Sequence, residues 1–233
     1  MTELLSGELA GRGCALEVGV GTGQVALPLH QAGVAVIGLD LARPMMERLI
    51  HKAGGRAPFP LVQGDATRMP FADGAFGGAY LRWVLHLIPD WRAALSEVAR
   101  VVRPSGVLLV LAGGYGGIRS EIQQRFAELA GVSLAPPGLM WAGYDEMDEA
   151  MAALGATVRQ LPSYIEAGRD SVEHFMAGIV HNRYSWTWKV QDPTTLAGLA
   201  DDVRAWAEER YGPLDRYREE PFEIVWRAYD LPA

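Results

Sequence analysis

The chain has 233 residues, 49% hydrophobic and 21% charged, an ordinary globular composition with apolar material for a sizeable core. Its formal net charge of -7 gives no bulk basic footprint for nucleic acid, and its one cysteine, Cys14, excludes an intrachain disulfide framework and a protein-ligated iron–sulfur cluster. No apolar run reaches the roughly 18 residues that a membrane span needs, and the N-terminus lacks a signal-peptide pattern, so a cytoplasmic protein without a membrane span is expected.

In chain order, residues 14–18 predict a first strand. Residues 22–31 predict a helix closed by Gly33 and slightly bent at Pro28. A second strand over 35–39 leads to a helix over 44–53 that opens on Pro44. Short strands follow at 60–63 and 78–82, then a helix over 90–101 and a fifth strand over 107–112. The glycine-rich run 113–117 reads as a hinge. Beyond it, helices are expected at 118–130, 145–154, 171–184 and 194–211, with strands at 157–166 and 221–229.

Strands alternating with helices predict an α/β fold around a mostly parallel sheet with right-handed crossovers. In such sheets ligands bind beyond the carboxyl ends of the strands, so the residues just after each strand are the ones to inspect. The first strand runs into Glu17-Val-Gly-Val-Gly-Thr-Gly23. Glycines there let the backbone turn tightly and approach a bulky ligand, and the helix that follows offers free N–H groups. A carboxylate at Glu17 is costly to bury unless paired; it suits either loop organisation or the ammonium of an amino-acid ligand. Asp40 ends the second strand, where a carboxylate can take both hydroxyls of a ribose. Asp65, in Gly64-Asp-Ala66 after the third strand, can accept from an exocyclic amine or simply cap the next turn.

Taken together, these segments resemble a class I S-adenosylmethionine-dependent methyltransferase of the type-11, ubiquinone-biosynthesis-like family. Phe71-Ala-Asp-Gly-Ala-Phe76, Leu85-His86 and Leu95-Ser-Glu-Val-Ala-Arg-Val-Val-Arg-Pro-Ser-Gly106 match the family's next segments in order and spacing over residues 14–112. The chain also resembles uncharacterised methyltransferases of Thermus-type bacteria. It departs from the pattern in four places. About 13 residues precede the first strand, where relatives carry a longer helical segment; Ala42 replaces a capping serine; Gly77 replaces an acid; Ser105 replaces a turn glycine.

The resemblance implies a Rossmann-like, mostly parallel seven-stranded sheet with helices on both faces and a small helical cap. It implies one methyltransferase domain over 1–233, a cofactor-binding core at 12–112, and substrate-cap insertions at 113–144 and 168–218. S-adenosyl-L-methionine would lie with its methionine end over Gly19, Gly21 and Gly23, near Glu17. Asp40 and Leu41 would take the ribose and adenine, Asp65 and Ala66 the adenine's polar edge, and Leu81 and Arg82 the sulfonium region. The methyl would pass to a small-molecule acceptor by in-line displacement, which needs no obligatory acid or base; His86 is the one candidate base. Tyr115, Trp141 and Tyr144 are candidate acceptor contacts. No metal-ligand spacing occurs. A non-catalytic adenosylmethionine-binding protein and, on the Gly21-Thr-Gly-Gln-Val-Ala26 pattern, a nicotinamide-dependent oxidoreductase are the rival readings.

Overall fold

Strand β1 (Ala15–Val18) is buried at all four positions, as a central parallel strand must be. A computed structural model describes residues 1–111, 117–140 and 144–233, apart from the side chains of 166–170 and 217–222. Around β1 lie β2 (Val36–Asp40), β3 (Leu61–Gln63), β4 (Phe76–Arg82), β5 (Val102–Leu111), β6 (Thr157–Gln160) and β9 (Arg227–Asp230). Their order is β3-β2-β1-β4-β5-β9-β6, the seven-stranded sheet expected from the sequence. Every pairing among β1 to β5 is parallel, while β9 runs antiparallel to both β5 and β6. Two further strands, β7 (Tyr164–Ser171) and β8 (Tyr217–Ile224), pair as a separate ribbon.

The chain divides into two compact units. The first comprises Met1–Gly113, Pro137–Tyr164 and Val225–Ala233, and contains the sheet. One sheet face carries Leu16, Val18, Ala79, Leu81, Leu108 and Val110. These pack in one buried cluster with Trp91, Leu95 and Val98 of α4 (Trp91–Val101) and with Met147 and Met151 of α6 (Tyr144–Ala153). Asp90 starts α4 by accepting a hydrogen bond from the Ala93 N–H at 3.1 Å. The opposite face is covered by α1 (Thr2–Leu9) and α2 (Ala26–Gln31), with α3 (Arg43–Lys52) beside them.

Helix α1 explains one departure from the family pattern. A Cβ at position 77 would stand 1.4 Å from the Arg12 carbonyl oxygen, and one at Gly78 would stand 2.8 Å from a Leu9 methyl. The chain leaving α1 thus lies directly on the start of β4, and only glycine permits that approach. Ser105, by contrast, holds a left-handed φ of 59°, a conformation that glycine adopts without cost. Its N–H is held by the Pro232 carbonyl at 2.9 Å.

The second unit, Gly114–Pro136 with Ile165–Ile224, has its own core. Helices α5 (Gly117–Ala130), α7 (Val172–Val180) and α8 (Pro193–Tyr211) bury Ile122, Phe126, Phe175, Met176, Ile179, Ala200 and Val203 together. Tyr184 stacks on Trp186 with ring centroids 5.2 Å apart, and Phe126 meets Trp186 edge-on at 5.0 Å. Tyr184 and Trp186 therefore sit in a core, while Trp188 is half exposed.

Candidate functional site

The carboxyl ends of β1, β2, β3 and β4 lie side by side, and each delivers one part of the expected constellation. After β1, Gly19, Gly21 and Gly23 all have left-handed φ values of 76°, 52° and 75°. The three differ in what crowds them. A Cβ at Gly19 would meet a Val84 methyl at 2.6 Å and one at Gly23 a Leu49 methyl at 2.9 Å. At Gly21 the nearest atom would be 3.8 Å away, a Met45 methyl. Gly19 and Gly23 are thus required by the protein's own packing, whereas Gly21 turns an open backbone surface outward. These turns also account for α2 starting at Ala26 rather than at residue 22.

Asp40 pins the loop. Its carboxylate accepts from the Gly21 N–H at 2.7 Å through Oδ2 and from the Ala42 N–H at 2.8 Å through Oδ1. Each carboxylate oxygen has a second lone-pair direction to offer a ligand. Leu41, directly after it, is 69% exposed. Asp65 is exposed and accepts from both the N–H and the hydroxyl of Thr67 through Oδ1, at 2.8 and 2.9 Å. Those two bonds hold its carboxyl below the usual range, so it is ionised. Ala66 beside it is half buried. Loop 69–73 that follows is clamped by α4. Arg100 donates to the Phe71 carbonyl at 2.8 Å, the Met69 carbonyl at 3.2 Å and Asp73 at 2.7 Å, while Glu97 accepts from the Met69 N–H at 2.8 Å.

Glu17 is 3% exposed. Burial pushes its carboxyl well above the usual range, opposed by the Tyr80 hydroxyl, the Ala26 N–H and the Arg82 guanidinium. Its Oε2 nonetheless completes no hydrogen bond, and neither does the Tyr80 hydroxyl. Leu81 is fully buried on the other sheet face, in the α4 cluster. Arg82 is half buried, with its guanidinium 4.2 Å from the centre of the Trp83 ring and 3.9 Å from the Met1 sulfur.

His86 is 9% exposed within a short 3-10 turn, Leu85–Leu87. Burial lowers its pKa to about 4, so the ring is neutral at pH 7. Its carbonyl accepts from the Gly138 N–H at 3.0 Å, and a Cβ at Gly138 would stand 2.2 Å from the Leu85 oxygen. This is tight structural packing, and a base with so low a pKa is far from the value suited to proton transfer at neutral pH. Tyr144, at the start of α6, donates to the Val225 carbonyl at 2.9 Å and lies under the Arg227 guanidinium at 4.8 Å. Tyr115 and Trp141 lie outside the described residues.

Two residues escaped the sequence reading. Tyr80 is level with Glu17 in the β1–β4 register and fully buried. Its signal was a polar group within the apolar run that precedes Arg82 in the strand, Phe-Gly-Gly-Ala-Tyr-Leu-Arg. Trp83 carries a left-handed φ of 53° just past β4, unusual for a bulky residue and invisible to composition or periodicity. Among the described residues, no group of three His, Cys, Asp or Glu side chains is placed to hold a metal ion, and no helix is long and apolar enough to cross a membrane.

Residues 16–110 match the family model described as a methyltransferase domain. The demethylmenaquinone methyltransferase of Corynebacterium kroppenstedtii is 38% identical over 95 residues, 41% of this chain and 39% of that protein. The enzyme of the same name from Thermus thermophilus is 36% identical over 99 residues, 41% of this chain and 45% of that protein. The chain thus aligns with less than half the length of these curated relatives. Among solved structures, the [4+2]-cyclase SpnF superposes with a TM-score of 0.60 at 19% identity, covering 100% of this chain and 80% of that one. That likeness concerns the fold alone, since one fold hosts different reactions. The matched segment, less than half of the chain, holds the glycine loop, Asp40, Asp65, Arg82 and His86, and over it the chain is similar to methyltransferase domains.

Proposed function

We propose that this protein transfers a methyl group from S-adenosylmethionine to a small, partly apolar acceptor. The observation that carries the reading is the alignment of four adjacent strand ends. They present a buried carboxylate, an open glycine backbone, a ribose-type carboxylate beside an exposed leucine, and a second ionised carboxylate.

The cofactor fits on grounds of chemistry. The unpartnered Glu17 Oε2 suits the ammonium of a methionine moiety, directly or through water. The uncrowded Gly21 backbone leaves room for the same end of the ligand. Asp40 takes the ribose hydroxyls with its remaining lone pairs while it holds the loop. Leu41 offers an apolar surface to adenine, and Asp65 and Ala66 flank its amine. Arg82 borders the sulfonium end, whereas Leu81, expected there too, is fully buried in the α4 cluster and offers no side chain to the ligand. Adenosylmethionine supplies a methyl carbon already activated by cationic sulfur. The chain's part is then to hold donor and acceptor in line and exclude water, with no base assigned to His86.

Acceptor selectivity is drawn from segments 113–144 and 168–218, outside the shared cofactor core, with Tyr115 and Trp141 as candidate contacts. The hydroxyl and ring of Tyr144 already serve Val225 and Arg227, which favours a packing part for it. The acidic net charge argues against a nucleic-acid acceptor; the relatives' quinone-type acceptor belongs to the apolar small-molecule class proposed here. Calorimetry with adenosylmethionine and adenosylhomocysteine tests the cofactor, which should bind competitively at one site. Transfer of labelled methyl to the small-molecule fraction of a bacterial extract tests the activity. No heat at millimolar cofactor with folded protein overturns the reading; binding without any transfer leaves a non-catalytic binding protein.

A further inference from the structure

Glu17 and Tyr80 stand directly across from each other in the central strands β1 and β4. Glu17 is 3% exposed and Tyr80 0%. Glu17 Oε2 and the Tyr80 hydroxyl each lack a hydrogen bond of full geometry, yet the two side chains already bear on each other at one register position of the sheet. Buried polar atoms are nearly always satisfied, so an incomplete pair beside a ligand loop calls for a functional account.

We propose that Tyr80 is a positioning residue for the cofactor's amino-acid end: its hydroxyl turns onto the Glu17 carboxylate and keeps it charged for the ligand's ammonium group. The inference rests on the cofactor reading above. Burial drives the carboxyl towards its neutral form. Tyr80 is itself held protonated, first by burial and then by the Glu17 charge, so it acts only as a donor. A donor to a carboxylate favours the ionised form, and an arriving cation favours it further. Uptake of the cofactor then ionises Glu17, strengthens the Tyr80 contact and gives Oε2 a partner.

The other groups facing Glu17 are few. Arg82 of β4 favours its charge and Asp40 of β2 opposes it, while α2 contributes the Ala26 N–H. Elsewhere on the covering helices, Glu3 of α1 and His30 of α2 are exposed, and Glu8 of α1 is held by Arg159 at 2.9 Å. Among the described residues, Tyr80 is therefore the one neutral side-chain donor that bears on the carboxylate.

The test uses the full chain and two variants, Tyr80→Phe and Glu17→Gln. Adenosylmethionine affinity is followed by calorimetry from pH 6 to pH 9, and the buried carboxyl of the ligand-free protein by its infrared C=O band, assigned by its absence in Glu17→Gln. In the wild type, affinity should rise with pH as the band disappears, up to about pH 8, where the ligand's own ammonium begins to lose its proton. Tyr80→Phe should move both transitions to higher pH and weaken binding about tenfold at pH 7, the usual worth of a hydrogen bond to a charged group. Glu17→Gln should bind weakly with no such pH dependence. A merely structural Tyr80 would lower the melting temperature and leave both pH profiles in place, which overturns the proposal. Should Tyr80→Phe fail to fold, a wild-type affinity that is flat across the same pH range overturns it equally. Wild-type protein that binds no cofactor at any pH overturns the cofactor reading, and the positioning role with it.

Discussion

Asp40 ties a backbone turn and a ligand contact to the same two oxygens. Replacing it with alanine should weaken adenosylhomocysteine binding by about 1.5–3 kcal/mol, roughly 10- to 100-fold. It should also cost some thermal stability, because the Gly21 and Ala42 N–H groups lose their acceptor. Calorimetry and a melting curve on one preparation read both effects; an unchanged dissociation constant would remove Asp40 from the ribose role. His86 makes a prediction about acid. Its folded pKa of about 4 lies below the usual 6.5, so the unfolded chain binds the proton more readily. The stability contributed by keeping the ring neutral is complete above pH 6.5. It should fall as pH drops from there towards 4, by up to about 3 kcal/mol. Urea unfolding at pH 7.5 and pH 5 should show that loss in the wild type and a smaller one in His86→Gln; equal losses would mean that other groups carry the slope.

The loop after Asp65 is fastened by two residues of the helix that starts at Trp91, Glu97 and above all Arg100. Arg100 holds two carbonyls and a carboxylate of that loop, an arrangement that propensity would read as a solvated helical face. Arg100→Met keeps the helix and removes the clamp. Adenosylhomocysteine affinity should drop a few-fold while the circular dichroism spectrum holds, and preserved affinity would show that the loop is set by other contacts. The first half of the chain was legible because buried parallel strands are continuous apolar runs between glycine and proline punctuation. The strands expected at 157–166 and 221–229 were less so. Each proved to be two strands, with breaks at 161–163 and 225–226. The Leu161 N–H bonds to the Trp226 carbonyl across those two breaks, so both bends belong to one tertiary contact that neither stretch reveals alone. The glycine loop, Asp40 and Asp65 were readable because each follows a strand directly. Tyr80 and Trp83 were not, because register and a left-handed backbone are settled only by the folded neighbours.

All the proposed cofactor contacts, from Glu17 to Arg82, belong to the unit that contains the sheet, while α5, α7 and α8 bury a separate core. Phe126→Ala, at a fully buried position in that second core, should destabilise its own unit by about 3–5 kcal/mol. Cofactor affinity measured below the melting transition should stay within twofold of wild type; a large drop would show that the second unit takes part in holding the cofactor. The sheet itself is assembled from three stretches of chain, and the strand farthest along the sequence, β9, lies inside it between β5 and β6. During translation, at about 5–20 residues per second, β5 and β6 leave the ribosome long before the strand that joins them. Until residues 227–230 emerge, both present bare edges, the feature that invites pairing with a foreign chain. The nascent protein is therefore most exposed to aggregation in the interval between the emergence of β6 and that of β9, and a chaperone that shields strand edges would matter most then.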